Sequence, residues 1–184
     1  LMIRLLKRLA DRSDSAFKDS AVFYRTNAQS RVFEESLIRE GIPYVILGGT
    51  RFYDRKEIKD AIAYLRVVLN PNDSISFKRV VTTPPRTIGK VTLGKIVALG
   101  EERGVSLIEA TKIACTEGKL GKTKAASFVE AIDSFVTEAA TERLSELTLR
   151  LIEDSGYMMM LQDEGTDEAA ERVDNLFELV SAIK

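Results

Sequence analysis

Strand-like sequence in this chain of 184 residues stops before Gly49, and that limits what it can fold into. Ser20-Ala21-Val22-Phe23-Tyr24-Arg25 and Tyr44-Val45-Ile46-Leu47 are short apolar runs bounded by polar residues or glycine, the pattern of buried strands. Between them Asn27 stands where a helix cap belongs, and Val32, Phe33, Leu37 and Ile38 recur at helical spacing. Gly41 then follows as a terminator. Strand, helix and strand with short connections predict a crossover unit, and therefore a parallel sheet.

Beyond this unit the period is helical throughout. Asp54 and Glu57 form a capping-box-like pair, and the helix they open lines up Ile58, Ala61, Ile62, Leu65 and Val68 until Asn70-Pro71 stops it. Further helices are expected over about 73–81, 91–103, 107–116, 123–140, 144–154 and 167–183, with Ser106 and Glu109 as a second capping box. The first residues, 1–12, read as the end of an amphipathic helix with Met2, Leu5, Leu6 and Leu9 on one face. The expected fold class is thus α/β followed by all-α. The best linker candidate is Glu117-Gly118-Lys119-Leu120-Gly121.

Composition removes several chemistries. The chain has no histidine and a single cysteine, Cys115, so Ser-His and Cys-His catalysis and zinc-ligand clusters are excluded within it. A lone cysteine forms no intramolecular disulfide and fits a reducing, cytoplasmic setting. No apolar run is long enough to cross a membrane, so no membrane partner is expected. No metal site is expected either. Glu57 and Asp60, three residues apart on one helix, read as a cap with salt bridges to Arg55 or Lys56.

The net charge of −1 conceals a polarity. Between Ser74 and Gly100 the charged residues are Lys78, Arg79, Arg86, Lys90 and Lys95, all basic. From Glu138 to the end, acidic residues outnumber basic ones twelve to four. Such asymmetry marks a polyanion-facing region, or else helix faces solvated by chance clustering; charge alone leaves both open. Gly118-Lys119-Leu120-Gly121-Lys122-Thr123 imitates a phosphate loop. The pattern requires a glycine where Thr116 stands and a strand where a helix precedes, so the stretch reads as a helix-to-helix turn.

An aromatic and a cation at the end of a strand, as at Tyr24-Arg25, sit where open α/β sheets bind ligands. The stretch Phe23-Tyr24-Arg25-Thr26-Asn27-Ala28-Gln29-Ser30-Arg31 resembles motif IV of superfamily 1 DNA helicases of the UvrD, PcrA and Rep kind. The resemblance continues in order through Gly48-Gly49-Thr50-Arg51-Phe52-Tyr53-Asp54-Arg55-Lys56-Glu57 and Thr83-Pro84-Pro85-Arg86-Thr87-Ile88-Gly89. It is still visible at Asp154-Ser155-Gly156-Tyr157 and Arg172-Val173-Asp174-Asn175-Leu176, so that residues 20 to 184 are covered.

The resemblance implies part of an ATP-dependent, 3′-to-5′ DNA helicase of repair or replication. Residues 1–117 would be the first part of the RecA-like parallel-sheet motor domain 2A, and 118–184 the start of the helical insertion 2B. Tyr24 would stack on adenine, and Arg25 would be the catalytic arginine reaching the γ-phosphate. Arg86, Thr87, Ile88, Gly89 and Lys90 occupy the place of a hairpin that faces duplex DNA. Thr87 stands where the family has a glycine, and if that position needs a positive φ, threonine is strained there. The phosphate loop and the acidic Mg²⁺ ligands belong to other domains in such a protein. The implied cofactors are therefore ATP and Mg²⁺ in the full-length protein, with Mg²⁺ not bound by this chain and the chain alone inactive. The implied partners are DNA at a single-strand/duplex junction and domains 1A and 1B of the same protein. Two other readings stay open on the residues: a stand-alone helical DNA-binding module without ATP chemistry, and a helical protein-interaction scaffold.

Overall fold

The computed structural model describes Arg4, Lys7, Arg8 and residues 17–120 and 124–183. The helix expected over 1–12 lies outside the described residues apart from those first three, as does the 121–123 part of the phosphate-loop look-alike. The chain forms two compact units, Leu1–Arg55 and Lys56–Lys184.

Among the described residues there is no strand, which overturns the expected α/β opening and its parallel sheet. A strand is a pairing rather than a run of apolar residues, because its N–H and C=O groups need a neighbouring ladder. The two candidate runs have no such ladder. Phe23, Val45 and Leu47 are 92%, 80% and 89% exposed, so these runs are not buried either.

The first unit is organised by one helix, α1 (Ser30–Arg39), entered through a 3-10 turn at Asn27–Gln29. Gly41 (φ 66°) ends it, with the Gly41 and Ile42 amides donating to Ile38 and Leu37. The helix turns an unexpected face inward. Val32 and Ile38 are exposed, while Ser30 and Glu34 are buried. The reason is the Glu34 carboxylate. It accepts the Ser30 hydroxyl (2.7 Å), the Tyr44 hydroxyl (3.1 Å) and the Phe52 amide (3.1 Å), which fastens the returning segment to the helix. Arg55 donates to Ser30 Oγ (2.8 Å) from the unit's far end. A buried carboxylate with this many donors is tolerated where an unpaired one would not be.

The second unit contains helices α2 (Lys56–Leu69), α3 (Ser74–Val80), α4 (Lys90–Arg103), α5 (Leu107–Thr116), α6 (Ala125–Glu138), α7 (Leu144–Asp154), α8 (Tyr157–Asp163) and α9 (Asp167–Ala182). Asp73, Ser106 and Thr166 cap α3, α5 and α9, each accepting an N–H of the first turn. Helix α8 was not expected, because Met158, Met159 and Met160 between two glycines carry no clear period.

Helix α2 is central. It packs against α3, α6, α7 and α9, so it is covered on more than the single stripe its sequence marks. Ile58, Tyr64 and Val67 are fully buried, each contributing about 1.5–3 kcal/mol by area. Its two acids are buried as well, and other helices supply them with partners. Glu57 accepts Asn175 Nδ2 from α9 (2.8 Å). Asp60 accepts Arg79 Nε from α3 (2.5 Å) and the Tyr157 hydroxyl from α8 (2.7 Å). Two carboxylates on one helix thus tie three other helices to it. Helices α5 and α6 pack across the expected linker, so packing is continuous past residue 117.

Candidate functional site

The basic stretch spans the connection from α3 to α4, and the structure sorts its cations into two kinds. Arg79 is paired with the buried Asp60 but stays part exposed, and Arg86 is 7% exposed and bonded within the fold. Lys78, Lys90 and Lys95 are exposed. Lys78 and Lys90 line one shallow groove of about 400 Å³, together with Leu93, Gly94, Val97 and the acidic Glu101. A polyanion approaching here meets lysines rather than arginines, which are point charges without a fixed fork.

Arg86 does not occupy the place assigned to it as a phosphate contact. Its Nη1 donates to the carbonyls of Val80 (2.8 Å) and Pro84 (2.9 Å). Its Nη2 donates to the Tyr64 hydroxyl (2.7 Å) and the Ser155 carbonyl (3.0 Å). The guanidinium also lies 4.5 Å from the centre of the Phe128 ring. With four oxygens bound and one ring against it, it holds the turn together. Burial raises the Tyr64 hydroxyl above the usual phenol range, against the opposing pull of the Arg86 charge.

Thr87 follows with φ 58°, the one non-glycine residue with positive φ among the described residues. A β-branched side chain in this region costs about 1–3 kcal/mol and survives only where neighbours over-determine it. Here they do. The Thr87 hydroxyl donates to the Arg86 carbonyl (2.5 Å), which also accepts the Lys124 amide (3.2 Å). Ile88 then buries its side chain and anchors the turn.

Gly89 is the N-cap of α4, with an ordinary φ of −84° and no side-chain cap. A Cβ added there would meet nothing within 4 Å. The residue is therefore not required by backbone conformation; its lack of a side chain leaves the first amides of α4 uncovered. Thr87, Gly89 and Lys90 are exposed, so the turn presents helix-end N–H groups beside a lysine.

In the first unit, Tyr24 is half-buried and stacks on Phe33 of α1, with ring centres 6.2 Å apart and an interplanar angle of 23°. Arg25 is exposed, and its amide donates to Gln29 Oε1 (3.0 Å), which fixes the backbone of the pair at the helix entrance. Among the described residues no group of three or more Asp, Glu, Cys or His side chains is set to hold a metal ion. No helix among them is long and apolar enough to cross a membrane.

Sequence reasoning missed the Glu34 cluster, the Tyr64–Arg86–Ser155 network and the Asp60–Tyr157 pair. Glu34 had a visible signal, a carboxylate centred between apolar positions of a short helix. The other two join residues far apart in sequence, and no local pattern marks them.

A family model described as UvrD-like helicase C-terminal domain matches residues 1–184. The chain is 42% identical over 168 residues to the ATP-dependent DNA helicase PcrA of Bacillus subtilis (strain 168), covering 90% of this chain and 23% of that protein. It is 41% identical over 172 residues to DNA helicase II of Escherichia coli (strain K12), covering 92% and 24%. The PcrA of Staphylococcus epidermidis is 39% identical over 175 residues, with 94% and 24% covered. The chain spans about a quarter of the length of the curated relatives it matches.

Proposed function

This chain belongs to the family of UvrD-like helicase C-terminal domains, and from that premise we propose that it serves in an ATP-dependent DNA helicase moving 3′ to 5′. In this reading it is the part of the motor that feels the nucleotide and touches the duplex ahead. Residues to about 117 belong to the second motor domain and those from about 118 to its helical insertion.

The observation that carries the proposal is the Thr87–Lys90 turn. A strained residue, an anchored Ile88 and an uncapped helix start combine to expose backbone amides next to Lys90, and Lys78 lines the same groove as Lys90. Amides and lysines bind phosphates without reading bases, which is what a motor running along any sequence needs. Ile88 supports the turn from within, so its part in DNA binding is to seat the amides at Thr87 and Gly89.

Tyr24 and Arg25 suit the nucleotide side. A half-buried ring held by Phe33 offers a face for a purine, and an exposed guanidinium beside it can reach a triphosphate. ATP with Mg²⁺ supplies the phosphoryl-transfer energy, and in this reading the loop and acidic ligands that hold the metal lie in the rest of the protein. Arg25 would stabilise charge developing on the γ-phosphate, while Tyr24 orients the base.

The test uses the full-length protein on a forked duplex. Arg25→Ala should abolish both ATP turnover and strand separation. Lys90→Ala should lower strand separation more than it lowers ATP turnover. Full ATP turnover in a folded Arg25→Ala protein would contradict the nucleotide role.

A further inference from the structure

The turn at Thr87–Gly89 does not hold itself. Its Thr87 sits in the left-handed region, where a β-branched residue does not stay unaided. The residue before it is fixed at both ends. The Arg86 guanidinium is bound to Val80 and Pro84 on its own connection, to Tyr64 on α2 and to the Ser155 carbonyl at the α7–α8 corner. The Arg86 carbonyl receives the Thr87 hydroxyl and the Lys124 amide. Tyr64 is itself committed, donating its hydroxyl to the Thr83 carbonyl (2.5 Å). The corner carrying Ser155 is anchored one step further on, where Tyr157 donates to Asp60.

We infer that Arg86 is a positioning residue for the DNA contact: braced by Tyr64 and the Ser155 carbonyl, it holds Thr87 left-handed so that the amides at the start of α4 face the phosphate backbone. It touches no DNA itself, because its charge is enclosed. The inference rests on the reading of the turn as a duplex contact. It adds that the α7–α8 corner, sixty-nine residues away in sequence, helps set the geometry of that contact.

The experiment measures binding of a short labelled duplex to the full-length protein, with its salt dependence, beside thermal melting. Tyr64→Phe keeps the ring and its packing but removes the oxygen that accepts from Arg86. It should weaken duplex binding about five- to tenfold, a fraction of what a hydrogen bond to a charged group can contribute. The log–log salt slope should stay unchanged, because no cation that meets a phosphate has been removed. Arg86→Lys keeps the charge but cannot satisfy four acceptors, and it should weaken binding at least as much. If Arg86→Lys does not fold, Tyr64→Phe alone decides.

A lower melting temperature with wild-type duplex affinity in Tyr64→Phe would overturn the inference and leave the network a purely structural one. Unchanged or tighter binding in Tyr64→Phe, together with a slope shallower by about one in Arg86→Met, would mean that Arg86 meets a phosphate directly, and would overturn it as well. Lys90→Ala separates the two levels. If it weakens binding while Tyr64→Phe does not, the turn is a contact but Arg86 does not position it. If neither matters, the turn is no contact and both readings fall.

Discussion

The Asp60 carboxylate on α2 accepts the hydroxyl of Tyr157, ninety-seven residues later, at 2.7 Å, and both side chains are buried. Arg79 supplies the neighbouring charge from α3. Burial first, and then the hydrogen bond to Asp60, push the Tyr157 phenol far above its ordinary value. A group with a raised folded pKa contributes stability that is complete below its unfolded value, near 10, and is lost as pH climbs above that value. The unfolding free energy of the protein should therefore fall above about pH 10, with Tyr157 adding about 1.4 kcal/mol per pH unit to the slope. Tyr157→Phe should remove that component, and urea unfolding between neutral and alkaline pH measures it. A slope identical in both proteins would mean that Tyr157 ionises in the folded state as it does in the unfolded one.

Removing the enclosed charge at residue 86 should be expensive. Arg86→Met leaves the Val80, Pro84 and Ser155 carbonyls and the Tyr64 hydroxyl without their shared donor. The loss should be about 3 kcal/mol or more, in the range of broken buried networks. The urea midpoint should drop with little change in m-value. A change below about 0.5 kcal/mol, typical of surface sites, would show that water already reaches these oxygens.

Two substitutions at residue 87 should cost stability to different extents. Thr87→Val keeps the branched side chain at φ 58° and loses the hydroxyl that bonds the Arg86 carbonyl, costing about 0.5–1.5 kcal/mol. Thr87→Gly loses the same hydroxyl but relieves the strain, which outweighs the added freedom of the unfolded chain, so it should be less costly than Thr87→Val by about 0.5–1 kcal/mol. Thermal melts of the two variants check the order. Equal effects would mean that the residue does not sit in the left-handed region.

The helical half was legible in the sequence because its information is local. Period, caps at Ser106 and Asn70-Pro71 as a stop are all read within one turn of the chain, and the helices fall close to their expected places. The two strand-like runs failed because pairing is non-local; a run such as Tyr44–Leu47 says nothing about what lies beside it. Helix α1 is legible only in part: Phe33 and Leu37 are half-buried as their spacing suggests, but Val32 and Ile38 are exposed and Glu34 gathers three donors inside. The basic stretch reads as a uniform surface, although Arg79 is paired with Asp60 and Arg86 is buried in the Tyr64–Ser155 network. The warning at Thr87 came from the family resemblance, and the positive φ there bears out the concern.

The central claim, that the turn at the start of α4 meets the phosphate backbone, is tested most directly by titrating a labelled duplex into the protein at several salt concentrations. Two or three phosphates met by lysines imply a log–log slope of about −2 to −3, at roughly −0.9 per phosphate, and scrambled duplexes should bind alike. Lys90→Ala should make the slope shallower by about one, and Lys78→Ala with it by about two. Lys119→Ala, whose charge is already paired with Glu117, serves as the control and should leave it unaltered. A slope unchanged in the double variant, with circular dichroism showing an intact fold, would contradict the account and place the DNA contact elsewhere.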